Sequence, residues 1–206
     1  MIKFIGLYNV PLLITVLGIF SALWACLLSF NDKFEFAVIF FILAGLCDLF
    51  DGVVARKLKM TEEEKKFGLY IDSIADAVSF GLAPVMILLH SGFNSNLDYL
   101  LFSFYCFSAS IRLAYFNLLQ ERNDKPTTYY TGLPVTYAAL ILPIVFTIGV
   151  FLDESIANVL VRFSLFLLGF FFILKVPIKK PDGIFYIIFP LLGAALILFW
   201  LKMAFN

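Results

Sequence analysis

Four aspartates occur at helical spacing in a part of the chain that is otherwise mostly apolar. Asp48 and Asp51 are three residues apart, and Asp72 and Asp76 are four residues apart, so each pair shares one helix face. An ionised aspartate at the centre of a membrane helix costs about 2.5 to 3.5 kcal/mol, and mutual repulsion adds to that cost. If the two helices are antiparallel neighbours, the four carboxylates can converge, and we expect a cation among them.

The ligand type narrows the choice of cation. Short carboxylate side chains supply hard oxygen ligands, which suit Mg²⁺, Mn²⁺ or Ca²⁺. No histidine or cysteine occurs among the aspartates at the spacing of a zinc site. A divalent ion held by carboxylates often presents a di- or triphosphate, because Mg²⁺ keeps exchangeable positions for phosphate oxygens. The pattern therefore predicts a metal site that handles phosphate.

Small residues accompany the aspartates. Gly52 and Ala55 follow the first pair, and Gly68 precedes the second, so the backbone is uncovered where a flat or anionic ligand could approach. On their own, such residues would favour tight helix packing in a membrane. Beside four aspartates and Arg56, they favour a ligand site.

The composition of the chain indicates which kind of secondary structure positions these residues. The chain has 206 residues, of which 62% are hydrophobic, whereas soluble domains are about 45 to 50% apolar. This composition predicts an all-α integral membrane protein, a polytopic helical bundle. The formal net charge of +0 gives no reason to expect nucleic acid as a partner.

Apolar runs of sufficient length to cross a bilayer predict seven helices. These lie at residues 9–30, 34–58, 67–90, 97–119, 133–152, 156–175 and 183–203. The connections are short and no internal repeat is visible, so we expect one domain over residues 1–206.

The distribution of basic residues predicts the orientation. Most of them fall on one side of the alternating spans, namely Lys3, the segment 56–66, Arg122, Lys125, Lys175, Lys179 and Lys180. By the positive-inside rule, the N-terminus and the aspartates lie on the cytoplasmic side of the cell membrane. Seven spans then place the C-terminus on the outer side.

The aspartates, small residues and arginine together form one motif. Its eight positions are Asp48, Asp51, Gly52, Ala55, Arg56, Gly68, Asp72 and Asp76. This motif resembles the signature of the CDP-alcohol phosphotransferase family of integral membrane enzymes. One departure is visible, because eleven residues separate Arg56 from Gly68, more than the family usually has, and the excess falls in the charged run KMTEEEKK.

Three further segments resemble the phosphatidylserine synthase branch of that family. They are IDSIADAVSFGLAP at 71–84, SIRLAYFN at 110–117 and TGLPV at 131–135. The resemblance covers about residues 9–181 and implies a core of six spans. Residues 183–203 are then an added seventh helix, to which the resemblance assigns no role.

The resemblance implies a reaction and a set of roles. A phosphatidyl group would pass from CDP-diacylglycerol, or an archaeal ether analogue, to L-serine, releasing CMP. The implied metal ligands for Mg²⁺ or Mn²⁺, with Ca²⁺ as an alternative, are Asp48, Asp51, Asp72 and Asp76, and Asp76 is the implied general base. The implied nucleotide contacts are Asp48, Gly52, Ala55, Arg56, Gly68 and Asp72. A homodimer surrounded by membrane lipids is also implied.

Two residues of the fourth span are candidates for the second substrate. Arg112 lies where an unpaired guanidinium is costly, so we expect it to face the cavity and meet an anion. The serine carboxylate and the lipid-linked phosphate are natural partners, and pairing with a motif aspartate is the alternative. Asn117 either contacts serine or caps the backbone.

Two other functions remain open. A cation transporter would explain buried acids, but it would not explain Arg56 and the small residues at these spacings, and no repeated halves are apparent. A related enzyme that uses glycerol phosphate or inositol phosphate would be expected to need a more basic pocket than one intramembrane arginine provides.

Overall fold

The computed structural model describes residues 5–122, 129–179 and 183–206. Three lysines used for the predicted orientation, Lys3, Lys125 and Lys180, lie outside the described residues.

The described residues form helices joined by short connections. The α-helices are α1 (Val10–Phe30), α2 (Phe34–Lys57), α3 (Glu62–Asp76), α4 (Ala83–His90), α5 (Asn96–Arg122), α6 (Ala138–Gly149), α7 (Glu154–Ile173) and α8 (Phe185–Ala204). A π-helical segment, Ala77–Leu82, joins α3 to α4, and a 3₁₀ turn, Val135–Tyr137, precedes α6. Two short antiparallel strands, β1 (Tyr129–Thr131) and β2 (Pro177–Lys179), complete the chain order.

The predicted all-α polytopic bundle is confirmed, with one short helix in place of a full span. Within the described ranges, six helices are long and apolar enough to cross a membrane, counting Glu62–His90 as one. The predicted fifth span, 133–152, is instead the shorter apolar helix Val135–Gly149. It is shorter because an extended turn through Gly132 and Pro134 occupies its start.

The third span begins earlier than its apolar run. Thr61 and Glu64 form a capping box, in which the Thr61 hydroxyl accepts from the Glu64 backbone and the Glu64 carboxylate accepts from the Thr61 backbone. The charged residues 62–66 therefore form the first turn of α3, which carries Asp72 and Asp76 toward the centre of the bundle.

Small residues bring α1 and α2 together. A Cβ on Gly18 would lie 3.3 Å from the Cβ of Cys47, and Ala22, Ala25 and Ala44 are buried. Close approach of the two backbones places the first-span side chains against the second-span aspartates.

The final helix packs along α2 and α6. A Cβ on Gly193 would lie 3.3 Å from Leu46 Cδ2, so the helices approach closely at that level. At the far end, the buried Trp200 donates its indole N–H to Thr147 Oγ1 over 3.1 Å. These contacts hold α8 in a defined position beside the second span.

An ion pair between the buried Asp98 and the partly exposed Arg162 joins α5 and α7 at the end of the bundle opposite the aspartate motif. Arg162 donates from Nε to Asp98 Oδ1 at 2.7 Å and from Nη2 to Oδ2 at 3.2 Å. Ser95 adds hydrogen bonds from its backbone and its hydroxyl to Asp98. The Arg162 guanidinium also lies 5.2 Å from the centre of the Phe93 ring.

Candidate active site

One cavity of about 270 Å³ collects most of the candidate residues. Its charged and hydroxyl-bearing lining comes from several elements: Asp48, Asp51, Arg56, Asp72, Asp76, Arg112, Tyr130, Thr136, Tyr137 and Tyr186. The remaining lining is apolar or backbone. The cavity therefore combines several carboxylates, two guanidiniums and an aromatic wall.

Three carboxylates form the tightest group in this cavity. Asp48, Asp72 and Asp76 each offer an oxygen, and these oxygens lie within 4.8 Å of one another. No lysine or arginine in the described ranges forms an ion pair with any of them. Three hard oxygen donors without a protein counter-charge fit a divalent cation such as Mg²⁺, Mn²⁺ or Ca²⁺.

Asp51 lies at the edge of this group. It is 6% exposed and lines the same cavity, and its Oδ2 accepts a 2.6 Å hydrogen bond from the Thr15 hydroxyl. The bond occupies part of the acceptor capacity of one carboxylate oxygen and orients the carboxylate. Thr15 was not identified from the sequence, although a hydroxyl in the apolar first span was a usable signal.

The π-helical segment begins immediately after Asp76. Pro84 has no N–H to offer the carbonyl of Phe80, and the Tyr105 hydroxyl donates to that carbonyl instead, over 2.6 Å. The next carbonyl, of Gly81, accepts from Cys106 Sγ at 3.3 Å. The wider turn is thus satisfied by α5, and π-bulges of this kind are frequent at functional sites.

Arg112 is buried without an acidic partner. The residue is 4% exposed, its Nε donates to the Leu133 carbonyl at 3.1 Å, and its guanidinium lies 5.5 Å from the centre of the Phe116 ring. Within the part of the chain that the structure describes, it forms no ion pair with a motif aspartate. The guanidinium therefore brings to the cavity a positive charge that is not held in a direct ion pair.

A glycine turn positions the carbonyl that Arg112 uses. Gly132 has φ +82°, and a Cβ there would lie 3.0 Å from the carbonyl oxygens of Phe172 and Leu174. Only glycine combines that backbone conformation with so close an approach. The turn is therefore held against the end of α7, which places the Leu133 carbonyl beside Arg112.

Tyr130 lies just before this turn, on β1 and outside the spans. It lines the cavity, and burial raises the pKa of its phenol. The hydroxyl is therefore protonated at neutral pH and can act as a hydrogen-bond donor.

Arg56 lies at the mouth of the cavity. Its Nη2 donates to the Tyr186 hydroxyl over 3.0 Å, and its guanidinium carbon lies 5.4 Å from the centre of the same ring. Gly52 is its neighbour one turn earlier, where a Cβ would be 3.8 Å from Arg56 Nη1.

Three other predicted site residues do not line the cavity. Ala55 and Gly68 are absent from its lining, although no atom lies within 4 Å of the Cβ position of Gly68, which leaves that face open. Asn117 accepts a 2.8 Å hydrogen bond at Oδ1 from Ser73. The structure therefore places Asn117 where it braces α5 against α3, beside Asp72.

Nearly all of the described chain resembles one known family. Residues 8–205 match the family model described as CDP-alcohol phosphatidyltransferase, a range that includes α8.

The chain is also similar in sequence to several proteins of known name. The chain is 36% identical to the CDP-diacylglycerol–serine O-phosphatidyltransferase of Methanocaldococcus jannaschii over 63% of this chain and 56% of the relative. It is 39% identical to the Saccharomyces cerevisiae protein of the same name over 50% of this chain and 39% of that one. Archaetidylserine synthase of Methanothermobacter thermautotrophicus is 28% identical over 81% of this chain and 70% of its own length. The matches to the first two thus span about half the relatives' length or less.

Proposed function

The chain belongs to the CDP-alcohol phosphatidyltransferase family, and from that premise we propose that it transfers a phosphatidyl group from CDP-diacylglycerol, or an archaeal ether analogue, to L-serine. The products are phosphatidylserine, or its ether analogue, and CMP. The observation that carries the proposal is a single cavity containing three clustered carboxylates and an unpaired buried arginine. The names of several relatives support serine as the acceptor.

A divalent metal fits the carboxylates in this scheme. Asp48, Asp72 and Asp76 would hold Mg²⁺ or Mn²⁺, with Ca²⁺ as an alternative, and Asp51 would contribute from the edge of the group. A bound ion supplies charge stabilisation to a pyrophosphate and to the departing CMP.

Asp76 is the proposed general base. The serine hydroxyl oxygen forms a bond to the lipid-linked phosphorus while the bond from that phosphorus to the CMP oxygen breaks. The hydroxyl proton passes to the Asp76 carboxylate. Direct attack needs no covalent enzyme intermediate, since no separate nucleophile is required.

Arg112 is the proposed partner of the serine carboxylate. Its planar fork can bind a carboxylate through two parallel hydrogen bonds, and its Nε is already held by Leu133. The lipid-linked phosphate is the alternative partner. Asn117 supports this wall through Ser73 rather than from within the cavity lining.

Arg56 and the small residues are the proposed nucleotide contacts. Arg56 and Gly52 line the same cavity as the carboxylates, so a cation and an uncovered backbone are available to a pyrophosphate. Ala55 and Gly68 are proposed as nucleotide contacts because they belong to the motif that resembles the family signature. The proposed nucleotide contacts of Asp48 and Asp72 rest on the same resemblance.

The test is an acceptor panel with the purified full-length chain. CDP-diacylglycerol is supplied with serine, ethanolamine, glycerol phosphate or inositol phosphate, and CMP release is followed. We expect serine to be the fastest acceptor, and ethanolamine to be very poor because it lacks the carboxylate. Faster release with glycerol phosphate or inositol phosphate would disprove serine as the acceptor while leaving the reaction class intact.

We also propose a cell-membrane homodimer whose aspartate end faces the cytoplasm. The described basic residues of the segment 56–66, together with Arg122, Lys175 and Lys179, lie at that end of the spans. Labelling of cysteines introduced at residues 59 and 153 in sealed vesicles tests the orientation. Crosslinking in native membranes tests the dimer, and recovery of monomer alone would contradict it.

A further inference from the structure

The final helix closes the cavity from a direction that the motif residues do not cover. Tyr186, Phe189 and Gly193 of α8 are part of the lining. We propose that Tyr186 is a positioning residue for Arg56. Helix α8 would then contribute to the part of the cavity that binds CDP-diacylglycerol. This inference rests on the proposed function, because it concerns how that site binds its phosphate groups.

Two contacts with one side chain define where the Arg56 guanidinium lies. The hydroxyl of Tyr186 accepts from Nη2 at 3.0 Å, and the ring centre is 5.4 Å from the guanidinium carbon. In the described ranges Arg56 forms no ion pair with a carboxylate. Its remaining donors are therefore available to an anion while one edge is already held.

The chemistry of the tyrosine suits this role. A phenol and an aromatic face attract a guanidinium without cancelling its charge, whereas a carboxylate at the same place would neutralise it. Arginine also loses much side-chain entropy when a ligand orders it. A side chain held beforehand by Tyr186 loses less on binding, so affinity for a phosphate rises.

The anchoring of α8 makes such positioning effective. Close approach to α2 at Gly193 and the Trp200 to Thr147 hydrogen bond fix the helix at two levels beyond Tyr186. The position of the phenol is therefore set by the fold rather than by Arg56 alone.

The ligand affected should be the CDP-lipid rather than the acceptor. Arg56 follows Asp48 and Asp51 on the same helix, whereas Arg112, the proposed acceptor contact, lies on α5. A loss at Tyr186 should therefore change the KM for the pyrophosphate-bearing substrate and leave the KM for serine alone.

The primary test is Tyr186→Phe in the full-length protein, which removes the hydroxyl and keeps the ring. We expect the KM for CDP-diacylglycerol to rise about three- to tenfold, the effect of one hydrogen bond, with kcat and the KM for serine nearly unchanged. The matched control is Trp200→Phe, which removes the other side-chain hydrogen bond of α8. It should lower the melting temperature without changing either KM.

A second test measures the link between the two residues. Arg56→Lys should raise the KM for CDP-diacylglycerol less in the Tyr186→Phe background than in the parent, because the two side chains act together. Multiplicative effects would overturn the inference, and so would an unchanged KM in Tyr186→Phe.

A binding measurement separates this inference from the proposed function. The concentration of CDP-diacylglycerol needed for a given rise in melting temperature should be about three- to tenfold higher in Tyr186→Phe than in the parent. This expectation does not depend on the acceptor. Absence of serine-dependent CMP release from the parent would reject the function. An active parent with unaltered lipid binding in Tyr186→Phe would reject only the role of Tyr186.

Discussion

Two regions of the bundle bury charge in opposite ways. At one end, Asp98 and Arg162 satisfy each other through two hydrogen bonds, and Ser95 and Phe93 complete their surroundings. At the other end, three carboxylates cluster, and none of them forms an ion pair with a basic side chain of the described residues.

The arginines of the two regions show the same contrast. Arg162 meets a carboxylate, whereas the more deeply buried Arg112 meets a backbone carbonyl and an aromatic ring. Burial of charge is costly in both regions. This contrast supports the proposal that the chain supplies a partner where charge stabilises the fold and leaves the partner to a ligand at the candidate active site.

Removing metal should have the largest effect, and it should act on one region only. A chelator is expected to abolish CMP release, and Mg²⁺, Mn²⁺ or Ca²⁺ should restore it, because no basic side chain of the described residues forms an ion pair with the aspartates. The Asp98 pair needs no ion, so chelated protein should remain folded by circular dichroism. Full turnover in metal-free buffer would show that the aspartate cluster, like the Asp98 pair, needs no bound ion.

Asp76→Asn should come next in size. The amide cannot accept the serine proton, so turnover should fall about 10²- to 10⁴-fold. Binding of CDP-diacylglycerol should survive better than in Asp48→Asn or Asp72→Asn, as measured by ligand-induced thermal stabilisation. Turnover near the parental rate would show that the base lies elsewhere.

Asp98→Asn should affect stability instead of chemistry. The substitution weakens two charge-assisted hydrogen bonds to the partly exposed Arg162, each of which contributes about 1.5 to 3 kcal/mol. Denaturation in detergent should show that loss, while both KM values of the folded fraction stay at the parental level. Adding Arg162→Met should recover part of the stability; a selective change in the KM for serine would instead extend the active site to this end.

Arg112→Lys should have the smallest effect of the four. A point charge replaces a planar fork, and a charge-assisted hydrogen bond contributes about 1.5 to 3 kcal/mol. We expect a raised KM for serine with little change in melting temperature. If the KM for serine stays constant while CDP-lipid binding weakens, Arg112 serves the lipid phosphate.

Local spacing accounts for much of what could be predicted. Helical periodicity puts Asp72 and Asp76 on one face, and apolar run length identifies most spans, because both depend on neighbouring residues. The short α6 was not anticipated, because hydropathy alone does not report how far the turn at Gly132 and Pro134 extends into the apolar run.

Long-range partners account for what could not be predicted. Thr15 and Tyr186 are 36 and 130 residues from the side chains that they contact, and no local pattern encodes such pairings. The sequence left two roles open for Asn117, a serine contact or a backbone cap, and only the packing of α3 against α5 reveals that its Oδ1 accepts from Ser73. Motif membership indicates importance, whereas the direction in which a side chain points depends on how the helices pack.

The π-helical segment Ala77–Leu82 changes the direction in which the side chains of α4 point around the helix axis, relative to those of α3. Each residue of an α-helix turns the chain by about 100°, so one extra residue in a turn offsets every side chain that follows it. Asp72 and Asp76 can therefore be aimed at the cavity while Ala83, Ile87 and Leu88 remain buried in the bundle. We therefore expect core substitutions in the outer half of this span to leave the direction of the aspartates unchanged, provided that the Tyr105 hydroxyl keeps its hydrogen bond to the Phe80 carbonyl.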